Sequence, residues 1–211
     1  FSTSSFVSRP SSLIITKTEL TQVKTHFQSL LNQSFIKTPS PSFDQMVNLW
    51  GKYQLFAIRN FRGTSPYHGA EGGIGYRDRA QDIEAFAALD PKWAKEKLIE
   101  LFKYQYKSGH AVSGFSEYEG TWENQGFTGG KSDMAVWLIF AATTYLKETG
   151  DFALLKKVLP FIDGNKATII EHLNRAINYL LKNTGPPRHR TVRGPHGLPL
   201  IGKADWNDAF D

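Results

Sequence analysis

The strongest constraint on this chain is an alternation along its length. Stretches with helical periodicity are joined by short breaks at some junctions and by long glycine- and aromatic-rich segments at others. Glu19–Leu31 opens the series, with Leu20, Val23, Phe27, Leu30 and Leu31 recurring near every 3.6 residues. Pro39–Pro41 breaks it. Ser42 with Gln45 then reads as a capping box starting a helix through Met46, Leu49, Trp50 and Tyr53 toward Arg59. Gly63–Gly75, with glycines at 63, 69, 72, 73 and 75 plus Pro66, cannot be helical. Helices follow over Arg79–Leu89 and from Asp90-Pro91 to about Lys107, since proline at the first helical position gives up no needed amide bond. Ser108–Lys131 is a second long loop, and Ser132 and Gly150 bracket the next helix. Asp151–Leu159 and Lys166–Asn183 read as shorter helices, and Gly185–Asp211 as loop. At the front, Phe1–Ser12 is polar and serine-rich, and Leu13–Thr16 reads as a short strand; the middle of the chain shows no convincing strand pattern. Hairpins with short turns at one end and long loops at the other place a site among the long loops, although a bundle with one binding loop gives much the same sequence.

Composition narrows the partners. Lys and Arg total 25 against 20 Asp and Glu in 211 residues, a net charge of +5. Part of that excess is Arg188, His189, Arg190 and Arg193, set among Pro186, Pro187, Gly194 and Pro195. This reads as a solvated loop, whereas a nucleic-acid face spreads basic residues and aromatics along one element, so no nucleic acid is expected. With no cysteine there are no disulfides or thiolate metal sites. The most apolar run, Ala135–Tyr145, falls short of the roughly 18 residues a membrane helix needs. Phe1–Arg9 lacks the basic-then-apolar pattern of a secretory signal, so the expectation is a cytoplasmic protein away from membranes. The six histidines show no metal-ligand spacing, Gly69–Gly75 lacks the lysine of a phosphate-binding loop, and no Gly-x-Ser-x-Gly elbow occurs. Neither a metal nor an organic cofactor is expected.

What the long loops do hold suits sugars. Trp122, Trp206, Tyr67, Tyr76, Phe115, Tyr118 and Phe127 are loop aromatics able to stack on pyranose faces or, equally, to fill space beneath the loops. Trp50, Trp93 and Trp137 sit at core spacing on helices and read as structural. Two polar clusters stand out. Gly75-Tyr76-Arg77-Asp78-Arg79-Ala80-Gln81-Asp82 lies at a loop-to-helix junction, where Asp78 either binds a ligand or stabilises the helix start. Ala204-Asp205-Trp206-Asn207-Asp208 is either an Asx-turn or a carboxylic acid held beside a stacked ring. An indole next to a carboxyl strips its hydration, raises its pKa and keeps it able to donate a proton.

At these clusters the chain resembles the inverting disaccharide phosphorylases, the cellobiose and chitobiose phosphorylase family that includes a domain of cyclic β-1,2-glucan synthases. Gly75–Asp82 is similar to that family's Gly-aromatic-Arg-Asp-x-x-Gln-Asp. Pro195–Asp208 is similar to its Gly-Leu-Pro-Leu-Ile-Gly…Asp-Trp-Asn-Asp block, and Gly130–Leu138 to Ser-Asp-Asp-x-x-Trp-Leu. The resemblance implies an (α/α)6 helical toroid preceded by a β-sandwich. Residues 42–211 would then be the first part of the toroid, 1–41 a linker and helix leading into it, and the remainder would lie beyond. It implies cleavage of a β-glucoside by inorganic phosphate with inversion: Asp208 protonates the leaving oxygen and phosphate attacks the opposite face, so no enzymic base is needed. It also places Trp206 and Asn207 at the donor sugar, Asp78 on donor hydroxyls, Arg77 and Gln81 as supports of that loop, and Arg62 near a phosphate-binding arginine. A β-linked oligosaccharide and phosphate are the implied partners, with a homodimer for the complete enzyme. Three departures appear: Gly72-Gly73-Ile74 where the family often carries an arginine, Met134 for the second aspartate of its block, and Ala209 for a glycine after the acid. Two other readings stand beside this one. An inverting hydrolase on the same fold would need Asp82 or Glu123 as its base, and a catalytically silent sugar-binding domain would need neither.

Overall fold

The computed structural model describes residues 16–61, 73–116, 120–121, 131–182 and 196–197. The described part is mainly helical. Thr16, expected at the end of a strand, instead caps the first helix, α1 (Lys17–Asn32), through a reciprocal capping box with Glu19. The box expected at Ser42 and Gln45 does not form. Pro41 takes the first helical position and Ser40 precedes it, while Asp44 turns its carboxylate onto the Thr38 amide and hydroxyl. From there α2 (Pro41–Gln45) runs through a π-helical turn (Met46–Gly51) into α3 (Lys52–Phe61). Buried Lys52 ties this run to the end of α1, its ammonium donating to the carbonyls of Leu31, at 2.6 Å, and Ser34.

The second part is more tightly built. A short strand β1 (Gly73–Gly75) leads into α4 (Tyr76–Leu89), and Asp90 alone links α4 to α5 (Pro91–Lys103). Asp90 caps α5 by accepting from the Trp93 amide at 3.2 Å, as the Asp-Pro pair implies, and its other oxygen takes the Arg59 guanidinium at 2.8 Å. Helix α5 stops at Lys103 instead of Lys107, because Gln105 bridges to Ala111 and starts a turn. Next come β2 (Gly114–Ser116), β3 (Gly120–Thr121) and α6 (Met134–Thr149). Ser132 is not the cap of α6; Asp133 occupies that position. Gly150 ends the helix in the left-handed conformation at φ 66°, as its type predicts.

Two expected helices are otherwise built. Asp151–Leu159 resolves into a 3-10 turn (Phe152–Lys156) and the start of β4 (Val158–Pro160). Lys166–Thr168, expected to open the last helix, is β5, paired antiparallel with β4, and α7 (Ile169–Lys182) begins after it. β2 pairs with both β1 and β3, so Gly75 lies opposite Gly114. These strands are two or three residues long, too short to show alternation in sequence.

The helix directions follow from a few polar contacts. Beyond the C-terminus of α6, Asp151 accepts from Tyr145 at 3.1 Å and from Lys95, early in α5, at 2.6 Å. At the opposite end Arg77, in the first turn of α4, meets Asp133 at the start of α6. Hence α4 and α6 lie side by side in the same direction and α5 runs against them. Helix α7 returns along α6, with Tyr179 near its end packing on Ala135 at the beginning of α6. The described residues just after α5 and just before α6 therefore lie at the end where α4 and α6 begin, the loop end, and the one-residue link at Asp90 lies at the other. Phe86, Leu98, Leu101, Phe102 and Leu138 fill the space between these helices. His172, fully buried on α7, stacks on Phe161 with ring centres 3.9 Å apart. Its Nδ1 is 2.7 Å from the Gln105 side-chain oxygen and its Nε2 3.2 Å from the Leu159 carbonyl. Gln105 donates to the Gly109 and His172 carbonyls, which fixes its amide and leaves two acceptors facing one imidazole. No helix among the described residues is long and apolar enough to cross a membrane.

Candidate active site

The Gly75–Asp82 cluster begins where β1 becomes α4. The helix starts at Tyr76, three residues earlier than the sequence suggests, so Arg77 and Asp78 fall in its first turn. Tyr76 does not serve as a sugar platform. It is fully buried, its hydroxyl donates to the Leu101 carbonyl at 3.1 Å, and its amide donates to Ser113 at 3.0 Å. Burial pushes its phenol well above the ordinary tyrosine range. Phe115 is likewise core, stacked on Tyr104 at 4.2 Å. Both aromatics clamp the junction against α5 and the strands.

Asp78 is 8% exposed and folds back over Gly75, where a Cβ would lie 2.1 Å from its Oδ2. Only glycine leaves room for that carboxylate. The arrangement sets a negative charge at the positive end of the helix dipole, so stabilising the helix start is part of what Asp78 does. The two arginines diverge. Arg79 faces α5, its Nε 3.9 Å from Glu100 and its guanidinium 5.4 Å from the Trp93 ring. Arg77 faces α6, its Nη1 3.6 Å from Asp133 Oδ2. Gln81 is half-buried and Asp82, one turn beyond Asp78, is buried. Burial also raises the pKa of Glu84, farther along the same helix.

Asp133 lies within the third sequence block, but no role follows from the sequence because its ion-pair partner, Arg77, is distant along the chain. Its Oδ2 accepts from the Trp137 indole at 2.9 Å. Met134, where the resembling family carries a second aspartate, is buried in the main core and takes no part in this polar cluster. Of the three tryptophans expected to be structural, Trp93 and Trp137 pack against the core, whereas Trp50 is exposed. Arg62, Trp206, Asn207 and Asp208 lie outside the described residues. So do Asp205, Glu123 and the loop aromatics Tyr67, Tyr118, Trp122 and Phe127. Helix α7 ends at Lys182 on the same side of the helices as Arg77 and Asp78.

The structure thus brings Arg77, Asp78 and Asp133 together at the loop end, on the starts of two neighbouring helices. Comparison with known proteins identifies relatives of the whole chain. Solabiose phosphorylase of Paenibacillus borealis is 32% identical over 176 residues, covering 83% of this chain and 20% of that protein. The N,N'-diacetylchitobiose phosphorylase of Vibrio furnissii is 23% identical over 215 residues, covering 90% and 25%. A cyclic beta-(1,2)-glucan synthase of Rhizobium meliloti (strain 1021) is 30% identical over 198 residues, covering 83% and 6%. The chain therefore spans a quarter or less of each of these relatives. Residues 26–211 match the catalytic domain of the glycosyl hydrolase 94 superfamily, and the chain belongs to that family.

Proposed function

We propose that this chain is the first part of an (α/α)6 catalytic domain, from about residue 42, with 1–41 leading into it, and that the enzyme containing it is an inverting glycoside phosphorylase. Its substrates would be a β-linked disaccharide or short β-glucan and inorganic phosphate, with no further cofactor. Asp208 is the general acid, Trp206 and Asn207 line the donor-sugar subsite, Asp78 binds donor hydroxyls with Arg77 and Gln81 shaping its turn, and Arg62 reaches the phosphate. The complete enzyme is a cytoplasmic homodimer.

One observation carries this reading. The nearly buried Arg77 and Asp78 sit at the loop end of the helices, on the side where α7 ends at Lys182. The alternation of helix directions from α4 to α7 is what successive hairpins of a helical ring require. The likeness to the solabiose and N,N'-diacetylchitobiose phosphorylases supports the reaction type.

The mechanism needs one proton donor. An acid on the leaving oxygen lets phosphate displace the sugar from the opposite face, and the product is a sugar 1-phosphate of inverted anomeric configuration. The test is phosphate-dependent release of that product by the full-length protein. Release of free sugar without phosphate would indicate a hydrolase, and binding without turnover a silent domain. Asp208→Asn, which keeps shape and removes the proton, should slow phosphorolysis by about 10²–10⁴-fold. Asp205→Asn should cost far less, and the reverse pattern would exchange their roles.

A further inference from the structure

We propose that Asp133 is a positioning residue for the donor-sugar site, acting through Arg77 to hold the first turn of α4 that carries Asp78. This rests on the reading of Asp78 as a donor ligand. Aspartate at a helix N-cap ordinarily spends its carboxylate on the free amides of its own helix. The Asp133 side chain makes no such bond. Its backbone carbonyl takes the Val136 and Trp137 amides at 2.9 and 3.2 Å, and the carboxylate turns sideways. One oxygen, Oδ2, receives the Trp137 indole N–H at 2.9 Å and faces the Arg77 guanidinium at 3.6 Å.

The surroundings make this pairing matter. The Arg77 and Asp133 side chains are only 9% and 13% exposed, so neither charge has much water to fall back on. Tyr179, fully buried on α7, lies close enough for the Asp133 charge to add to the effect of burial and keep its phenol protonated. The carboxylate therefore joins the starts of α6 and α4, and the residue after Arg77 is Asp78. Losing the charge removes one partner of the guanidinium, which then shifts toward its others, and Asp78 moves with the turn.

The experiment uses the full-length enzyme and compares wild type, Asp133→Asn, Arg77→Gln, the double variant and Trp137→Phe, with donor KM, phosphate KM and kcat measured for each. Asparagine keeps an oxygen for the Trp137 indole and removes only the charge. The expected result is a donor KM about tenfold higher in Asp133→Asn with phosphate KM near wild type, and a double variant no worse than Arg77→Gln alone, as expected for residues acting through one another. Trp137→Phe removes the N–H that aims the carboxylate, leaves both charges, and should raise donor KM about threefold, so the idea stays testable should the Asn variant fold poorly. A normal donor KM in folded Asp133→Asn, or effects of the two single substitutions that multiply, would overturn it. Asp78→Asn, run alongside, reports on the parent reading by itself: an unchanged donor KM there removes the donor assignment, whatever Asp133 does.

Discussion

The helices α4–α7 and the helices α1–α3 end in opposite states, although α1 and α3 are as amphipathic as α5. In the first group Phe86, Leu98, Phe102 and Leu138 are at most 1% exposed, although Phe140, Ile170 and Leu181 on α6 and α7 stay open. In the second, Leu20, Val23, Trp50 and Tyr53 each remain about half exposed. Of α1–α3, mainly Leu30 and Phe56 join the core, Phe56 packing on Phe86. An apolar stripe in sequence states that a helix has a face to bury. It does not state against what.

The contrast can be broken or sharpened by measurement. Phe102, fully buried and edge-on to His172, should cost about 3–5 kcal/mol on replacement by alanine, read by urea unfolding. A cost below 1 kcal/mol would mean the α4–α7 core is not packed as described. Gly75→Ala separates folding from function within that group. The atom its Cβ meets is the tip of the Asp78 carboxylate, which can rotate away, so the protein should still fold while donor KM in the full-length enzyme rises about tenfold. Unchanged donor binding would show that Asp78 serves only the helix.

A pH titration probes the same core. Burial is the main cause holding the His172 pKa below 6.5, with the Arg175 charge assisting and the Leu159 carbonyl and Glu171 opposing. On balance the folded state then favours the neutral ring, burial outweighing the two acceptors that would suit a charged one. Its contribution is complete above about pH 6.5 and declines as pH falls below that, by up to about 1.4 kcal/mol per pH unit. Unfolding free energies of wild type and His172→Gln between pH 5 and 7.5 should diverge in that window, and parallel curves would refute it. The smallest effects belong to α1–α3. Leu20→Ala and Trp50→Ala should each change stability by less than about 0.5 kcal/mol if that face is open in solution. Costs approaching that of Phe102 would show the face to be covered.

How much of this was legible in sequence depended on the range of the interaction. Asp90-Pro91 and Gly150 marked helix ends because capping is decided within a few residues. The pairing of Gly73–Gly75 with Gly114–Ser116 was hidden, since neither segment has a pattern of its own and each is a strand only through the other. Lys166–Thr168 was absorbed into the amphipathic run of α7 for the same reason: its partner strand decides its state. At the site, the motif located Arg77 and Asp78 but not what each touches. That Tyr76 is an anchor and that Asp133 faces Arg77 follow only from the way α4, α5 and α6 pack.

The segregation of connections has a consequence for how such a protein diversifies. Asp90, a single residue, serves as link, helix cap and ion-pair partner at once, so an insertion or substitution there disturbs two helices together. Between α5 and α6 some thirty residues, 104–133, intervene in sequence, and a connection of that length tolerates change better than a one-residue link. Selection acting on substrate choice and selection acting on folding thus fall on different ends of the same helices. A lineage can vary one end without losing the scaffold that the other end maintains.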